Sequence, residues 1–327
     1  MIDIIIPTYK ARETLPAALD SLVAQTKKLF IVTIVQDADG EDYSDIIEEY
    51  KRRGLKIRLI KMEKNGGPGL ARQRGMDSDS MSTHFMFLDA DDMMLPSAVE
   101  MLSREALIND ADIVSSGFII TNKGTPDAIC DPLKMPCTWM HGKIYKAKYL
   151  RDNNIRFHPE IRLNEDSYFN LVAVNNAKKK MVIQYPTYLW RQNDNSLTHQ
   201  GGELGFFVKS WPQYILSQVY GLTELGEKKG ELSPPLVAQT LINIYKEHAK
   251  ALSKSFSPKC NPSDYKKSAS KLKTLGENPL IKEAIKSVEF WNTIEEKLPA
   301  CEKFGDNIIF YNIRFVDWMK EYIVEEI

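Results

Sequence analysis

Apolar residues in the first hundred positions follow two alternating spacings. Short, mostly β-branched apolar runs predict buried strands near residues 2–6, 30–35, 55–60 and 85–88. Between these runs, apolar residues recur at helical spacing, as they do from Leu15 to Val23. Strands that alternate with helices predict an α/β fold whose mainly parallel sheet carries helices on both faces.

The pattern changes after residue 112. It predicts a strand over 113–120, a loop over 121–138, helices over 144–150 and 165–174, and a strand over 181–184. Helical spacing then dominates, with helices predicted over roughly 204–227, 235–255, 263–275, 279–297 and 308–325. We therefore expect two domains, a sheet-containing domain over residues 1–200 and a helical C-terminal domain over residues 201–327.

Composition narrows the class of protein. The 327 residues include 43 Lys and Arg against 44 Asp and Glu, so the net charge is −1, which argues against a protein whose whole surface binds polyanions. Four cysteines without a CxxC pair exclude a zinc ribbon and suit a reducing compartment. Neither a signal peptide nor a membrane span is expected, so the predicted location is the cytoplasm.

Charge is unevenly distributed in the C-terminal region. Residues 256–286 hold seven lysines against three acidic residues, whereas residues 288–327 hold four basic and nine acidic residues. Such runs are usually solvated helix faces. The alternative is that the basic segment contacts an anionic acceptor polymer, and the same helices could instead join two copies of the chain as a homo-oligomer.

Four distinctive loops follow the predicted N-terminal strands. Ligands of parallel sheets bind beyond the carboxyl ends of the strands. The loops at those ends read Pro7-Thr8-Tyr9, Gln36-Asp37-Ala38-Asp39, Lys64-Asn65-Gly66-Gly67 and Asp89-Ala90-Asp91-Asp92. A single polar loop after a strand is ordinary, but four on one edge indicate a ligand site.

The loop at residues 89–92 points to a metal. Three carboxylates within four residues repel one another, and a divalent cation would relieve that repulsion. Mg²⁺ and Mn²⁺ take oxygen ligands and often only one or two from protein. One carboxylate could therefore bind the cation while another binds a sugar hydroxyl; an acidic turn exposed to solvent is the alternative.

The other loops offer further ligand contacts. The glycine-rich run at residues 65–69 resembles a phosphate-binding turn but lacks the Gly-Lys-Ser/Thr of a P-loop. Arg72, in the following helix, could direct its guanidinium at a diphosphate or lie on the surface. Asp37 could accept a hydrogen bond from the N3–H of uracil, and Tyr9 could stack on the base.

Two features of the second half could also carry chemistry. Glu165 and Asp166 begin a predicted helix, where the helix dipole favours acidic residues in any case. Alternatively, one of them is a general base for an acceptor hydroxyl. His199 could complete a metal site with Asp91, although an isolated histidine is usually structural.

Taken in this order, the loops resemble the nucleotide-binding half of the GT-A glycosyltransferases of family 2. The matching segments are residues 4–9, Asp37, residues 65–67 with 71–72, residues 87–92 with Pro96, and, downstream, residues 142–145, 154–157, 165–166, 191–192 and 196–198. The resemblance covers about residues 1–200. Lys10 and Arg12 depart from the Asn and Glu that are usual in the family, and the resemblance does not extend to the C-terminal 125 or so residues.

The resemblance implies an inverting transfer from a nucleotide-sugar, most often a UDP-sugar, assisted by Mn²⁺ or Mg²⁺. It implies donor-binding roles for Pro7, Thr8, Tyr9, Asp37, Asn65, Gly66, Arg72, Asp89 and Ala90. It implies Asp166 as the catalytic base with Glu165 beside it, Asp91 and His199 as metal ligands, and His141 and Arg191 as contacts to the acceptor or donor sugar. The expected acceptor is an envelope polysaccharide, a teichoic acid, a lipid-linked sugar, a protein or a modified DNA base.

Two other functions remain open. A sugar-phosphate nucleotidyltransferase would share the sheet and the metal, but its glycine-rich loop with a basic residue should directly follow the first strand, where Pro7-Thr8-Tyr9-Lys10 stands. A non-catalytic nucleotide-sugar-binding module would keep the fold alone, and the intact set of Asp37, Asp89, Asp91 and Asp166 argues against it.

Overall fold

A computed structural model describes most of the chain. The described ranges are 1–78, 81–122, 125–133, 138–192, 202–253, 257–298, 301–304, 307–310 and 313–324. The chain divides into two compact units, Met1–Ser196 and Leu197–Ile327. The division of function between two domains stays a prediction.

The first unit contains one sheet and six α-helices within its described residues. The strands are β1 (Ile2–Thr8), β2 (Phe30–Gln36), β3 (Ile57–Lys61), β4 (His84–Phe87), β5 (Met93–Met94), β6 (Ile113–Asn122), β7 (Thr125–Cys130), β8 (Lys143–Lys146) and β9 (Lys180–Gln192). The helices are α1 (Leu15–Val23), α2 (Ser44–Arg52), α3 (Pro68–Asp77), α4 (Ala98–Ile108), α5 (Ala147–Asp152) and α6 (Glu165–Asn176). This arrangement confirms the predicted α/β class.

The strand order places the predicted loops on one edge. It runs β3-β2-β1-β4-β8-β6-β9-β5, and β7 pairs with β6. The strands β3, β2, β1 and β4 are parallel, whereas β8 lies antiparallel to both β4 and β6. In β1, Thr8 pairs with Gln36 and Ile5 with Phe87, so the carboxyl ends of β1, β2 and β4 are neighbours.

The core explains why β1 is mostly apolar. All seven residues of β1 are buried, as expected for a central strand covered on both faces. On one face, Ile4 and Ile6 belong to the same core as Leu15 and Leu19 of α1, and all four are fully buried. The helical spacing of α1 therefore marks the face that packs on the sheet.

Two predictions for the middle of the chain are wrong. Residues 144–150 were expected to form a helix, but Lys143–Lys146 form β8 and the helix begins at Ala147. The expected loop over 121–138 contains β7, which pairs with β6 despite Pro126. The strand β8 pairs with strands that are distant in the sequence, and β7 forms a hairpin with β6. Neither strand has an alternating pattern of apolar and polar residues long enough to predict it.

The second unit is mainly helical. Its helices are α7 (Gly202–Lys229), α8 (Pro234–Leu252), α9 (Pro262–Glu277), α10 (Pro279–Ile285), α11 (Val288–Lys297) and α12 (Phe315–Tyr322). The predicted helix over 279–297 is divided because Ser287 caps α11 by accepting the N–H of Glu289 at 3.1 Å. The helix expected from residue 308 begins at Phe315, after a hairpin of β10 (Cys301–Phe304) and β11 (Asn307–Phe310). Across the described ranges, every helix is too short or too polar to cross a membrane.

Candidate active site

The loop after β1 lies at the rim of the sheet edge. Pro7 and Thr8 are buried within β1, and the Thr8 hydroxyl donates to the carbonyl oxygen of Val35 at 3.2 Å. Tyr9 is 51% exposed, and the Lys10 ammonium lies 5.5 Å from its ring centroid. Tyr9 therefore presents an aromatic ring to solvent beside the carboxyl end of β2.

Asp37 organises the glycine-rich loop. Its carboxylate accepts the backbone N–H of Gly66 at 2.7 Å and that of Gly67 at 2.8 Å, and Asn65 donates to its backbone oxygen at 3.1 Å. Burial raises the pKa of Asp37, although the two N–H donors act in the opposite direction. These two amides donate to a carboxylate of the same chain, and the donor-binding role of Gly66 stays a prediction.

A second carboxylate joins the loops after β1 and β2. Asp39 accepts the Lys10 N–H at 2.7 Å, the Tyr43 hydroxyl at 2.7 Å and the Glu41 N–H at 3.0 Å. Burial acts to raise the pKa of Asp39, but a hydrogen bond from the Gln36 amide, together with these three, holds it below its ordinary value. The contacts fix the backbone on both sides of the place where Tyr9 and Asp37 would receive a nucleoside.

Arg72 lies inside the protein between two carboxylates. It is 3% exposed, its Nη1 donates to Glu165 Oε1 at 2.7 Å, and its Nη2 pairs with Asp89 Oδ1. The guanidinium joins the end of β4 to the start of α6, so the alternative of a surface position is wrong, and the expected contact with a diphosphate stays a prediction. Gly69, one turn earlier in α3, makes room for this junction, since a Cβ there would lie 2.8 Å from Glu165 Cγ.

Asp166 has the proton affinity of a general base. Burial, followed by the negative charges of Glu165 and Asp89, raises the pKa of Asp166 to about 7, against the opposing charge of Arg72. Its Oδ1 accepts the N–H of Ser167 at 2.7 Å. A carboxyl group that titrates near neutral pH is well matched to taking a proton from a substrate hydroxyl.

Asp89, Asp92 and His141 form a candidate metal site. One ligand atom from each lies within 4.8 Å of the others. His141 Nε2 is 4.0 Å from Asp89 Oδ2 and 3.8 Å from Asp92 Oδ2. Burial lowers the pKa of His141 to about 4, so its imidazole is neutral at pH 7 and can act as a ligand.

The donor set of this site fits a divalent cation. Burial and then the charges of Asp91 and Asp89 raise the pKa of Asp92 well above its ordinary value, and a cation would relieve that repulsion. Asp92 is oriented by the Tyr188 hydroxyl at 2.7 Å and the backbone N–H of Arg191 at 2.8 Å. Two oriented carboxylates and a neutral imidazole match the ligands that divalent metals bind.

The remaining predicted residues within the described ranges lie at or beside this edge. Asp91 is partly exposed and lies next to the three-residue cluster without belonging to it, Ala90 is buried, and Asn65 is exposed. Arg191 contributes its backbone N–H to Asp92, and His199 lies outside the described residues. The roles assigned to these residues stay predictions.

Sequence reasoning missed two contributors. Asp92 was part of the acidic loop but was given no role, although the crowding of three carboxylates was a usable signal. Tyr188 is fully buried, and its hydroxyl contacts both Asp92 and the backbone N–H of Asp89. It comes from β9, and nothing in its local sequence indicated this contact across 96 residues.

Comparison with known proteins relates this chain to glycosyltransferases. Residues 3–160 match the family model described as Glycosyl transferase family 2. The chain is 28% identical over 218 residues to the uncharacterized glycosyltransferase EpsJ of Bacillus subtilis, covering 61% of this chain and 63% of that protein. It is 29% identical over 194 residues to a poly(ribitol-phosphate) beta-glucosyltransferase of Bacillus spizizenii, covering 54% of this chain and 30% of that protein. The chain thus spans less than two thirds of either relative.

Solved structures share the fold. Staphylococcus aureus TarS 1–349 in complex with UDP-GlcNAc superposes with a TM-score of 0.61 at 18% identity, covering 95% of this chain and 97% of that one. A mannosyltransferase from Pyrobaculum calidifontis, in complex with GDP-Man and Mn²⁺, superposes with a TM-score of 0.53 at 11% identity, covering 91% and 86%. At these identities the likeness supports the fold alone, and that fold is the GT-A fold expected from the loops.

Proposed function

Residues 3–160 belong to glycosyltransferase family 2, and on that premise we propose that this chain transfers a sugar from a UDP-sugar to an acceptor hydroxyl with inversion at the anomeric carbon. The observation that carries the proposal is Asp166, a carboxyl group with a pKa of about 7 beside Glu165, Arg72 and Asp89. Tyr9 and Asp37, on the same sheet edge, would bind the nucleoside.

Asp166 is the proposed general base. Its carboxylate takes the proton of the acceptor hydroxyl while that oxygen attacks the anomeric carbon, and the bond to the diphosphate breaks with its electron pair leaving on UDP. Base catalysis of this kind contributes about 10²–10⁴-fold to a rate. Arg72 acts through its neighbours, because it holds Glu165 beside Asp166 and Asp89 beside the cation site.

The acidic cluster would hold a divalent cation, Mn²⁺ or Mg²⁺. Asp89, Asp92 and His141 are the proposed ligands, and Asp91, which the family resemblance implies as a ligand, is the adjacent candidate. The bound cation would supply positive charge next to the diphosphate leaving group. The Pyrobaculum calidifontis mannosyltransferase, which shares the fold, was solved in complex with Mn²⁺, which favours that ion.

The names of the relatives suggest the donor and the acceptor. TarS of Staphylococcus aureus is a poly(ribitol-phosphate) beta-N-acetylglucosaminyltransferase, and the Bacillus spizizenii relative is a beta-glucosyltransferase of the same polymer. A beta product from the alpha linkage of UDP-glucose or UDP-GlcNAc requires inversion. We therefore propose UDP-glucose or UDP-GlcNAc as donor and a cell-envelope polymer as acceptor. The proposed location is a reducing compartment such as the cytoplasm, which a chain with only four cysteines suits.

The test compares Asp166→Asn with the wild type. With UDP-GlcNAc or UDP-glucose, Mn²⁺ and poly(ribitol phosphate), turnover read as UDP formation should fall about 10²–10⁴-fold. The dissociation constant of UDP, measured by calorimetry, should change less than twofold. Asp152→Asn is the matched control, because Asp152 is an exposed aspartate paired with Lys148. A parallel loss of UDP affinity and turnover would contradict the role of Asp166.

The alternative functions have less support. A sugar-phosphate nucleotidyltransferase would release pyrophosphate from UTP and a sugar phosphate, an assay that separates it from the proposed transferase. A non-catalytic binding module would bind UDP without forming it from UDP-sugars. A modified DNA base as acceptor has no support among the relatives, and oligomerisation through the C-terminal helices stays a prediction.

A further inference from the structure

The helix α9 carries lysines on the side that faces away from the core of the second unit. Leu272 and Leu275 are buried and mark the inward side of this helix. We call the residues on its exposed side the basic face: Lys266, Lys267, Ser270 and Lys273. They lie three, four or seven residues apart or next to one another in sequence, so they share one side of the helix. One acidic residue, Glu277, is exposed on this side, at the last position of α9.

The charges of the basic face are not neutralised by the chain. Within the described residues, its three lysines form no ion pair. Three exposed lysines of the first unit, in contrast, each pair with a carboxylate at 2.5–3.0 Å: Lys51, Lys148 and Lys179. Ser270 accepts the Thr274 hydroxyl at 3.1 Å through its backbone oxygen, so its own hydroxyl remains a donor for a ligand. The basic face therefore offers three positive charges and a hydroxyl to a partner.

The position of α9 is fixed at both ends. Asn261 caps its start by accepting the N–H of Ser263 at 3.0 Å. Near its end, a Cβ on Gly276 would lie 1.8 Å from the backbone oxygen of Ile323, so this turn packs directly against the residue that follows α12. A ligand that binds the basic face therefore orders side chains and does not have to order the backbone.

The composition of the basic face indicates a polymer of phosphates. Lysine binds phosphate oxygens as a point charge, and Lys266 and Lys273 lie about 10 Å apart along the helix axis. That spacing suits successive phosphates of one chain. The described residues of α9 include no exposed large apolar side chain, which disfavours insertion into a membrane. Tyr265 donates its hydroxyl to the backbone oxygen of Ala251 at 2.5 Å and is partly buried, so it offers no exposed ring for stacking on a nucleic-acid base.

We propose that the basic face binds the phosphodiester backbone of the acceptor polymer. The proposal rests on the proposed function, because it takes the poly(ribitol phosphate) of that proposal as the occupant, and it gives the second unit a role in binding the acceptor. Charge complementarity carries the proposal: unpaired lysines on one side of a fixed helix meet a polymer with one negative charge in each repeat. Holding several phosphates of a chain raises the local concentration of its hydroxyls.

The expected effect follows from counterion release. For a single-stranded polyanion, the logarithm of the binding constant falls with the logarithm of the salt concentration by about 0.7 for each phosphate that the protein neutralises. Three lysines should therefore contribute about 2 to this slope. Replacing all three by glutamine should weaken binding about tenfold at about 50 mM NaCl.

The experiment measures binding of poly(ribitol phosphate) to the full chain by calorimetry over a series of NaCl concentrations. The test variant is Lys266→Gln/Lys267→Gln/Lys273→Gln. The control variant makes the same change of net charge at the three lysines that already pair with carboxylates: Lys51→Gln/Lys148→Gln/Lys179→Gln. We expect the test variant to lose about tenfold in affinity and about 2 in slope, and the control to stay within about twofold of the wild type. Equal losses in the two variants would show an effect of net charge alone and overturn the proposal.

A kinetic measurement with UDP-GlcNAc or UDP-glucose connects the basic face with turnover. In the test variant, KM for poly(ribitol phosphate) should rise about tenfold while KM for ribitol 5-phosphate, which has a single phosphate, changes less than twofold. An unchanged KM for the polymer would remove the basic face from acceptor binding. Vesicles of phosphatidylglycerol are the second probe: binding that is tighter than that of the polymer and is lost in the test variant would assign the face to a membrane surface instead.

Separate outcomes bear on the two proposals. If the wild type forms no UDP from any UDP-sugar but the test variant still loses polymer affinity, the proposed function fails and the basic face stands as a polymer-binding surface. If the wild type turns over with poly(ribitol phosphate) and the test and control variants bind the polymer equally, the proposed function stands and the role of the basic face is refuted.

Discussion

Replacing Arg72 by methionine removes the charge that joins two halves of the site while keeping most of the side-chain volume. In the native protein the side chain of Arg72 is 4% exposed, that of Glu165 9% and that of Asp89 29%. After the substitution, Glu165 and Asp89 face each other inside the protein without a cation between them. Both carboxylates then keep their desolvation cost and lose the attraction that offset it.

The expected loss of stability is large for one substitution. Removing one partner of a buried ion pair typically costs about 3–5 kcal/mol, because the other charge stays buried. For a unit of this size, each kcal/mol lowers the melting temperature by about 2–4 °C. The transition of the first unit should therefore fall by about 6–20 °C. Arg72→Met/Glu165→Gln should recover part of this loss, since one uncompensated charge is removed.

The assay is thermal unfolding of the full chain at pH 7.5, followed by circular dichroism. The matched control is Arg156→Met, because Arg156 pairs with Asp77 at 2.7 Å but the two side chains are 49% and 39% exposed. Such a surface pair contributes about 0–1 kcal/mol. If Arg72→Met melted within about 2 °C of the Arg156 variant, the buried pairing would contribute no more than a surface contact and the argument would be refuted.

Two further predictions concern protons and metal. Because burial and nearby negative charge raise the pKa of Asp166 to about 7, and the base must be deprotonated, turnover should fall as pH drops below about 7. A pH profile that stays flat down to pH 5 would remove Asp166 from that role. For the metal, calorimetry should show weaker Mn²⁺ binding for Asp92→Asn and His141→Ala than for the wild type. If Asp91→Asn abolished Mn²⁺ binding while those two variants retained it, the cation would belong to Asp91 and not to the three-residue cluster.

Sequence patterns predicted the elements whose signal is local. The runs in β1 and β2 and the helical spacing of α1 identify the parallel half of the sheet, because buried strands and amphipathic helices each impose a period on the chain. The strand β8 was missed because it has only four residues and is followed directly by α5, so periodicity alone could not separate strand from helix. Its state is decided by pairing with β4 and β6, which local sequence does not report.

The site was predictable as a set of loops and not as a set of contacts. Asp37 and Asp89 could be placed on one edge because both follow parallel strands. The burial of Arg72 could not be foreseen, since its partner Glu165 lies 93 residues away. The position of His141 beside Asp92 likewise depends on β8 and β9 meeting the same sheet, which is a property of the assembled fold.

The space left at Gly69 ties the sequence choice at one position to that at another. The space that a side chain at position 69 would occupy is filled by Glu165, and Glu165 in turn forms an ion pair with Arg72. Most substitutions at position 69 alone should therefore destabilise the fold, because any side chain there meets that of Glu165. A second substitution that shortens residue 165 would leave room for the new side chain. Attempts to retune the enzyme should therefore diversify positions 69, 72 and 165 jointly, as one combinatorial unit.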